Sequence, residues 1–359
     1  MTDSSTAFVS FLTHQDSAAW GRALDALTAE IHEVDRTATL IWFHFFPLEL
    51  FLALEQSDDA DTLARKLLLE GEYRLASQID TSPRFLYGHR FWAEVKQATL
   101  EYANKFDGNE ARNLTNDLVT VTRDIAQTAA RIVKVDASLL NGITLVALMT
   151  LRQTGLAAFS EAIDAKAVRA MHSNKQPAEI LRERTREEGQ GIFGFLRTED
   201  KKWTVRFDES RNDRRFTCIN SEEIASGAAR DHSEDWHALD PRRSEGPIPV
   251  QCRAAACGTC WVGVLGGAEK LSPVSRLEAT AIKEFGYINT NDERPAIRLA
   301  CMAQANGAVS IVIPTWNGFF GKYLQTGSPA QMRSTELPGY DSPVEPQTTD
   351  QTTNTGTGA

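Results

Sequence analysis

Three cysteines crowd one short stretch, Val250-Gln-Cys-Arg-Ala-Ala-Ala-Cys-Gly-Thr-Cys-Trp-Val-Gly-Val264, with the spacing C-x4-C-x2-C at Cys252, Cys257 and Cys260. A fourth, Cys301, stands apart in Arg298-Leu-Ala-Cys-Met302. If the four act together, one loop must wrap three thiolates and a distant strand must return with the last. Thiolate is the softest donor a protein offers, and it selects iron–sulfur clusters and zinc. Structural zinc sites usually pair two short C-x2-4-C knuckles. Here the last cysteine is isolated, so the pattern reads as a [2Fe–2S] site with Cys252, Cys257, Cys260 and Cys301 as metal and cofactor ligands. Disulfides fit less well. Met1-Thr-Asp-Ser-Ser5 has neither the basic start nor the apolar run of a secretory signal. Cysteine usage therefore points to a reducing, cytoplasmic setting.

The flanking residues add a resemblance. Ile248-Pro-Val-Gln-Cys-Arg-Ala-Ala-Ala-Cys-Gly-Thr-Cys260 resembles the cluster-binding loop of [2Fe–2S] ferredoxins. Gly267-Ala-Glu-Lys-Leu-Ser-Pro273 is similar to the segment after that loop in many bacterial members. Ile297 to Pro314 resembles the fourth-ligand strand, turn and closing strand. The long gap before Cys301 is closer to adrenodoxin-like ferredoxins than to chloroplast ones. The resemblance covers about residues 201–314 and implies a β-grasp fold, one-electron transfer, and redox partner proteins as donor and acceptor. Two departures stand out. Ala255 occupies a position where the family usually has glycine, the residue that permits positive φ. Upstream, Ile219 to Arg230 and a polar run through Glu245 replace a short amphipathic helix, which predicts an insertion or a rearranged helix.

The chain of 359 residues is long enough for two or three domains. Its net charge of −10 argues against nucleic acid as a partner. The acid excess lies in the first half, and the cysteine-bearing half is close to neutral, so simple acidic steering toward a basic partner is weakly supported. Residues 1–190 read as an all-α bundle. Ser17 to His32 follows Asp16, a candidate cap, and spaces Trp20, Leu24, Leu27 and Ile31 at helical intervals. Asp59 to Gly71, Phe85 to Tyr102, Ala111 to Val135, Ser138 to Ala158 and Pro177 to Glu188 continue the pattern. Ala38 to Leu54 and Ser138 to Leu151 are unusually apolar. Each falls short of the ~20 clean apolar residues of a membrane span, so both are expected in the core. Gly142, Thr144 and Ala147 would let another element approach closely.

His44 and His89, each in an aromatic run, are the only functional hints in this half. They either satisfy backbone carbonyls or bind a second metal or a haem. Within residues 1–190 there is neither a di-iron E-x-x-H pair nor a C-x-x-C-H haem site. Pro177 to Gly194 reads as a solvated, charge-paired helix leading into a hinge.

Residues 191–323 then read as the β-grasp domain. Trp203 to Phe207 and Arg215 to Ile219 form an opening hairpin around Asp208 to Asp213, and Cys260 to Leu265 leaves the loop as a strand. Ser275 to Phe285 is helical, and Val309 to Ile313 closes the sheet. Cys218 reads as a small buried hydrophobe. Arg253 is either a cation at the cluster edge or half of a surface ion pair. Trp316 to Tyr323 is aromatic and either packs on the helical half, tying the two halves together, or binds a partner. Residues 324–359, rich in Thr, Gln, Gly, Pro and Ser, predict a disordered tail. The fold class expected is thus α+β and multidomain: helical bundle, β-grasp domain, tail. The expected role is an electron-relay subunit of a larger redox complex with the helical half docking a partner. The alternatives are an oxidoreductase subunit with a second site in the bundle, or a redox sensor.

Overall fold

The computed structural model describes residues 4–46, 48, 58–59, 75–106, 117–186, 201–211, 213–285 and 294–315. The expectations for Asp59 to Gly71, for Trp316 to Tyr323 and for the tail lie outside these residues, apart from Asp59 itself. Helices come first. They are α1 (Ser4–His14), α2 (Ser17–Thr28), α3 (Glu33–Phe45), α4 (Leu75–Thr81), α5 (Trp92–Lys105), α6 (Leu118–Val133), α7 (Ser138–Phe159), α8 (Ala165–Ala170) and α9 (Pro177–Thr185). Several start where a polar side chain takes up an orphan amide. Asp16 accepts from Ala19, Asp117 from Thr120, and Asp164 from Lys166 and Ala167.

α7 is the axis of this half. Its apolar residues run all round, as in a helix surrounded by others, and Leu140 to Leu151 is buried throughout. By length and composition α7 is able to cross a membrane, yet 72% of its most apolar window is enclosed by the protein. A Cβ on Gly142 would collide with Thr39 of α3, which shows how closely the two backbones approach. The segment at Phe85 departs from a plain helix. It begins as a 3-10 turn, Tyr87–Phe91, and becomes α5 only at Trp92. Buried Asp35 of α3 accepts the amides of Tyr87 (2.5 Å) and Gly88 (2.7 Å) at the start of that turn.

The second half is a mixed five-stranded sheet in the order β2-β1-β7-β4-β5. β1 (Lys202–Arg206) and β2 (Arg215–Ile219) form the expected antiparallel hairpin. β7 (Val309–Val312) lies parallel to β1 and antiparallel to β4 (Trp261–Gly266), and β4 pairs with β5 (Ile297–Leu299). A helix lies at Arg276–Phe285, as the apolar spacing predicts. The replaced upstream segment is ordered. β3 (Glu222–Glu223) pairs with β6 (Gln304–Ala305), helical turns follow at Ile224–Ala228 and Trp236–Leu239, and Trp236 packs edge-on to Phe207 at 5.7 Å.

β2 alternates exposed and buried residues, whereas β4, β5 and β7 are buried almost throughout. Strands covered on both faces read this way. α3 and α9 pack on β4, and α9 also on β7. One apolar core runs from Phe8 through Val312. This corrects the reading of α9 as a solvated helix. Its Arg184 is 3% exposed and forms a bidentate pair with Glu209 at 2.7 and 2.9 Å. The same guanidinium donates to the Val34 carbonyl of α3 at 2.7 Å, and Glu209 accepts from Ser310 of β7 at 2.7 Å. One arginine thus ties two helices to the closing strand. Spacing could not show this, because the partner carboxylate arrives from another element.

Candidate functional site

The cysteine loop connects the upstream helical turns to β4. Its backbone visits the left-handed region at Arg253 (φ 51°), Ala255 (φ 57°) and Gly258 (φ 64°). Only the last is the residue type that does so freely. These reversals curl the loop until its amides face inward onto sulfur. Ala254 and Cys257 donate N–H bonds to Cys252 Sγ at 3.4 and 3.3 Å. Thr259 Oγ1 lies 3.1 Å from Cys257 Sγ. Cys301 reaches the same place because the Ala300 amide bonds the Cys260 carbonyl at 2.8 Å, where β5 leaves the sheet beside the start of β4.

The four thiols gather as two pairs. Cys252 and Cys257 share a hydrogen bond, as do Cys260 and Cys301. Cys257, Cys260 and Cys301 are buried and Cys252 is half-buried. Their proton affinities diverge. Burial pushes Cys252 up, but the Ala254 amide, the Cys257 thiol and the amides of Cys257 and Ala256 outweigh it and hold the thiol below its usual range. The hydrogen bond from Cys260 brings Cys301 down to about 7, and the same contact pushes Cys260 up. A site that gathers thiolates must stabilise negative sulfur, and inward amides do so.

The donors suit two metal ions better than one. A mononuclear zinc site needs four donors around one centre. Two thiol pairs side by side, all soft donors, instead match a two-iron cluster. Cys218 lies apart from them on β2, fully enclosed, and burial pushes its thiol up to about 12.

Sequence reasoning missed a buried pair behind the site. Glu278 and Arg298 are 0% and 1% exposed, and Arg298 also donates to the Ser272 carbonyl at 2.9 Å. Arg298 stands in the run that carries Cys301, which was the available signal. Arg253 pairs with Glu245 and donates to Ser226 Oγ at 3.0 Å, in line with the surface ion-pair alternative. The histidines do not share a site. His44 is exposed near the end of α3, whereas His89 is enclosed. His89 Nε2 bonds the Asp80 carbonyl at 2.7 Å, and Nδ1 meets His172 Nε2 at 2.8 Å. Both ring nitrogens of His89 are therefore engaged within the protein.

Residues 230–306 match the family model for the 2Fe-2S iron-sulfur cluster binding domain. Comparison with curated proteins and with solved structures finds no match to the chain. The C-terminal part of this chain is therefore a [2Fe–2S] ferredoxin-like domain with an electron-transfer role.

Proposed function

We propose that Cys252, Cys257, Cys260 and Cys301 together hold the cluster. The gathering of three loop thiols with Cys301, brought in by the Ala300 amide on the Cys260 carbonyl, is the observation that carries this reading. Bound there, a [2Fe–2S] cluster takes up and releases one electron at a time. The protein residues set the terms of that exchange. The amides of Ala254 and Cys257 and the Thr259 hydroxyl offset negative charge on sulfur. Gln251, Ala254 and Ala256 are exposed, so the loop forms a thin edge over the buried cysteines where a partner can approach.

In this reading the chain is an electron-relay subunit of a larger redox complex in the cytoplasm, and its helical half docks a partner protein. The contacts of α3 and α9 with the sheet hold the relay rigid, so a partner engaging the helices fixes the cluster edge in space. The test is iron and sulfide analysis with EPR on anaerobically purified full-length protein. Two irons, two sulfides and one S = 1/2 signal after dithionite are expected. A haem Soret band, or iron beyond the pair, would replace the carrier with an oxidoreductase subunit. Recovery from its own cells as a single free species would sink the subunit assignment.

A further inference from the structure

Between the helical half and the sheet lies a cavity of about 870 Å³. Known small-molecule sites range from about 300 to 1,000 Å³ and are mostly apolar with a few placed polar groups. Both halves build this one. Phe85 and Tyr87 come from the helices, and Phe207, Leu265 and Ile311 from the sheet. The polar lining is unequal in sign. Six arginines face the cavity, Arg84, Arg90, Arg184, Arg211, Arg214 and Arg243, against the carboxylates of Asp208 and Glu209.

Most of these arginines are committed. Arg184 pairs with Glu209, Arg211 with Asp213, Arg214 with Glu234 and Arg243 with Asp240. Arg84 and Arg90 differ. Arg84 touches Asp208 only at 3.9 Å, and its side chain is 61% exposed. Arg90 lies 3.5 Å over the Tyr87 ring and donates to the carbonyls of Tyr87, Ser173 and Lys175. Those acceptors orient the guanidinium, and the carboxylate that acts on it, Asp35, is already engaged by two backbone amides. His172 lines the same wall. In a chain of net charge −10, two guanidiniums without a close ion pair among the described residues, beside an aromatic wall, are a selective feature. A guanidinium recognises a carboxylate, sulfonate or phosphate by paired N–H bonds.

We propose that this cavity binds a small organic anion, with an apolar body against Phe85, Tyr87 and Phe207 and an acidic head at Arg84 and Arg90. A ligand held this way touches the helical half and the ferredoxin sheet together. The site stands independently of which residues ligate the cluster.

Isothermal titration of the full-length, cluster-loaded protein tests it. The probes are 1-anilinonaphthalene-8-sulfonate and its neutral analogue N-phenyl-1-naphthylamine. The sulfonate is expected to saturate one site per chain and to bind about tenfold or more tighter than the neutral probe. Arg90→Gln should weaken the sulfonate by a similar factor and leave the neutral probe unchanged. Arg84→Glu, at an exposed position that folding tolerates, should do the same even if Arg90→Gln fails to fold. Absence of saturable binding, equal affinity for both probes, or sulfonate affinity unmoved by Arg84→Glu would each overturn the proposal.

Discussion

Arg298 and Glu278 meet as a fully enclosed fork, Nε to Oε1 at 2.8 Å and Nη2 to Oε2 at 2.9 Å, three residues before Cys301. Glu278 also accepts the Leu299 amide at 3.0 Å, so the pair fixes both the charge and the path of the strand leading to Cys301. Removing one partner of a buried pair leaves the other charge uncompensated and costs about 3–5 kcal/mol. Glu278→Leu and Arg298→Met should each lower the denaturation midpoint strongly. The double variant should be less destabilised than the sum of the two. A strictly additive double-mutant cycle would refute the coupling.

Cys218 and Cys301 separate packing from ligation. Cys301→Ser should bleach the visible charge-transfer bands and lower the iron content while far-UV circular dichroism retains the helices. Cys218→Ser should keep the bands, because Cys218 lies apart on β2, where a Cβ on Gly227 would strike its sulfur. Bleaching by Cys218→Ser alone would reassign the ligand set.

Gly263 of β4 faces Ile41 of α3. A Cβ there would lie 2.7 Å from Ile41 Cγ2 and 2.8 Å from Val312 Cγ1. Overpacking of this kind costs about 1–3 kcal/mol. Gly263→Ala should destabilise the protein by that amount, and Ile41→Val, which removes the Cδ1 atom 3.1 Å from the same Cβ, should restore part of it. Full stability of Gly263→Ala in chemical denaturation would mean that the helices do not press on the sheet in solution.

Ala255 adopts φ 57° while 4% exposed. An L-residue in that region costs roughly 1–2 kcal/mol, which glycine avoids at some entropic expense. Ala255→Gly should therefore slow loss of the cluster at raised temperature, and Ala255→Val should accelerate it. The decay of visible absorbance reads both. A faster decay for the glycine variant would contradict the strain.

Buried groups give opposing pH effects. Burial lowers His89 to about 4, and burial with its neighbour lowers His172 to about 3. Unfolded histidine titrates near 6.5, so between about pH 4 and 6 the unfolded chain binds protons that the fold refuses. Stability is lost as pH falls through that window, by about 1.4 kcal/mol per unit for each histidine. Asp35 runs the other way. Burial raises it to about 6, so the fold binds a proton that the unfolded chain has released, and stability falls as pH rises through the same window. The pair variant His89→Gln, His172→Gln should flatten acid destabilisation, and Asp35→Asn should steepen it. Identical slopes in the three proteins would rule the assignments out.

Much of this arrangement was legible beforehand. The loop cysteines and Cys301 were found by spacing, the opening hairpin by alternation around Asp208, and the α2 start by Asp16. What escaped notice depends on groups far apart in sequence. α9 carries so many charges that it reads as solvated, and only Glu209 and Ser310 show why Arg184 is buried. The two-residue pairing of Glu222–Glu223 with Gln304–Ala305 is too short to carry a period. The 3-10 start at Tyr87 is held by a carboxylate from α3, which local propensity does not register. Nothing local marks Glu278 as buried, because its partner Arg298 arrives from another element.

The order of synthesis gives the shared core a further meaning. Ile41 and Val34 leave the ribosome long before β4, and β7, the last strand of the sheet, follows later still. Until Trp261 to Gly266 emerge, α3 carries an apolar flank at Ile41 with no lasting cover, and α9 waits longer still for Val309 to Val312, the kind of surface on which nascent chains misassociate. Folding of the helical half is then completed only by the strands that carry the cluster loop. A chain truncated ahead of β7 forfeits the closing strand and, with it, the finished underside of its helices.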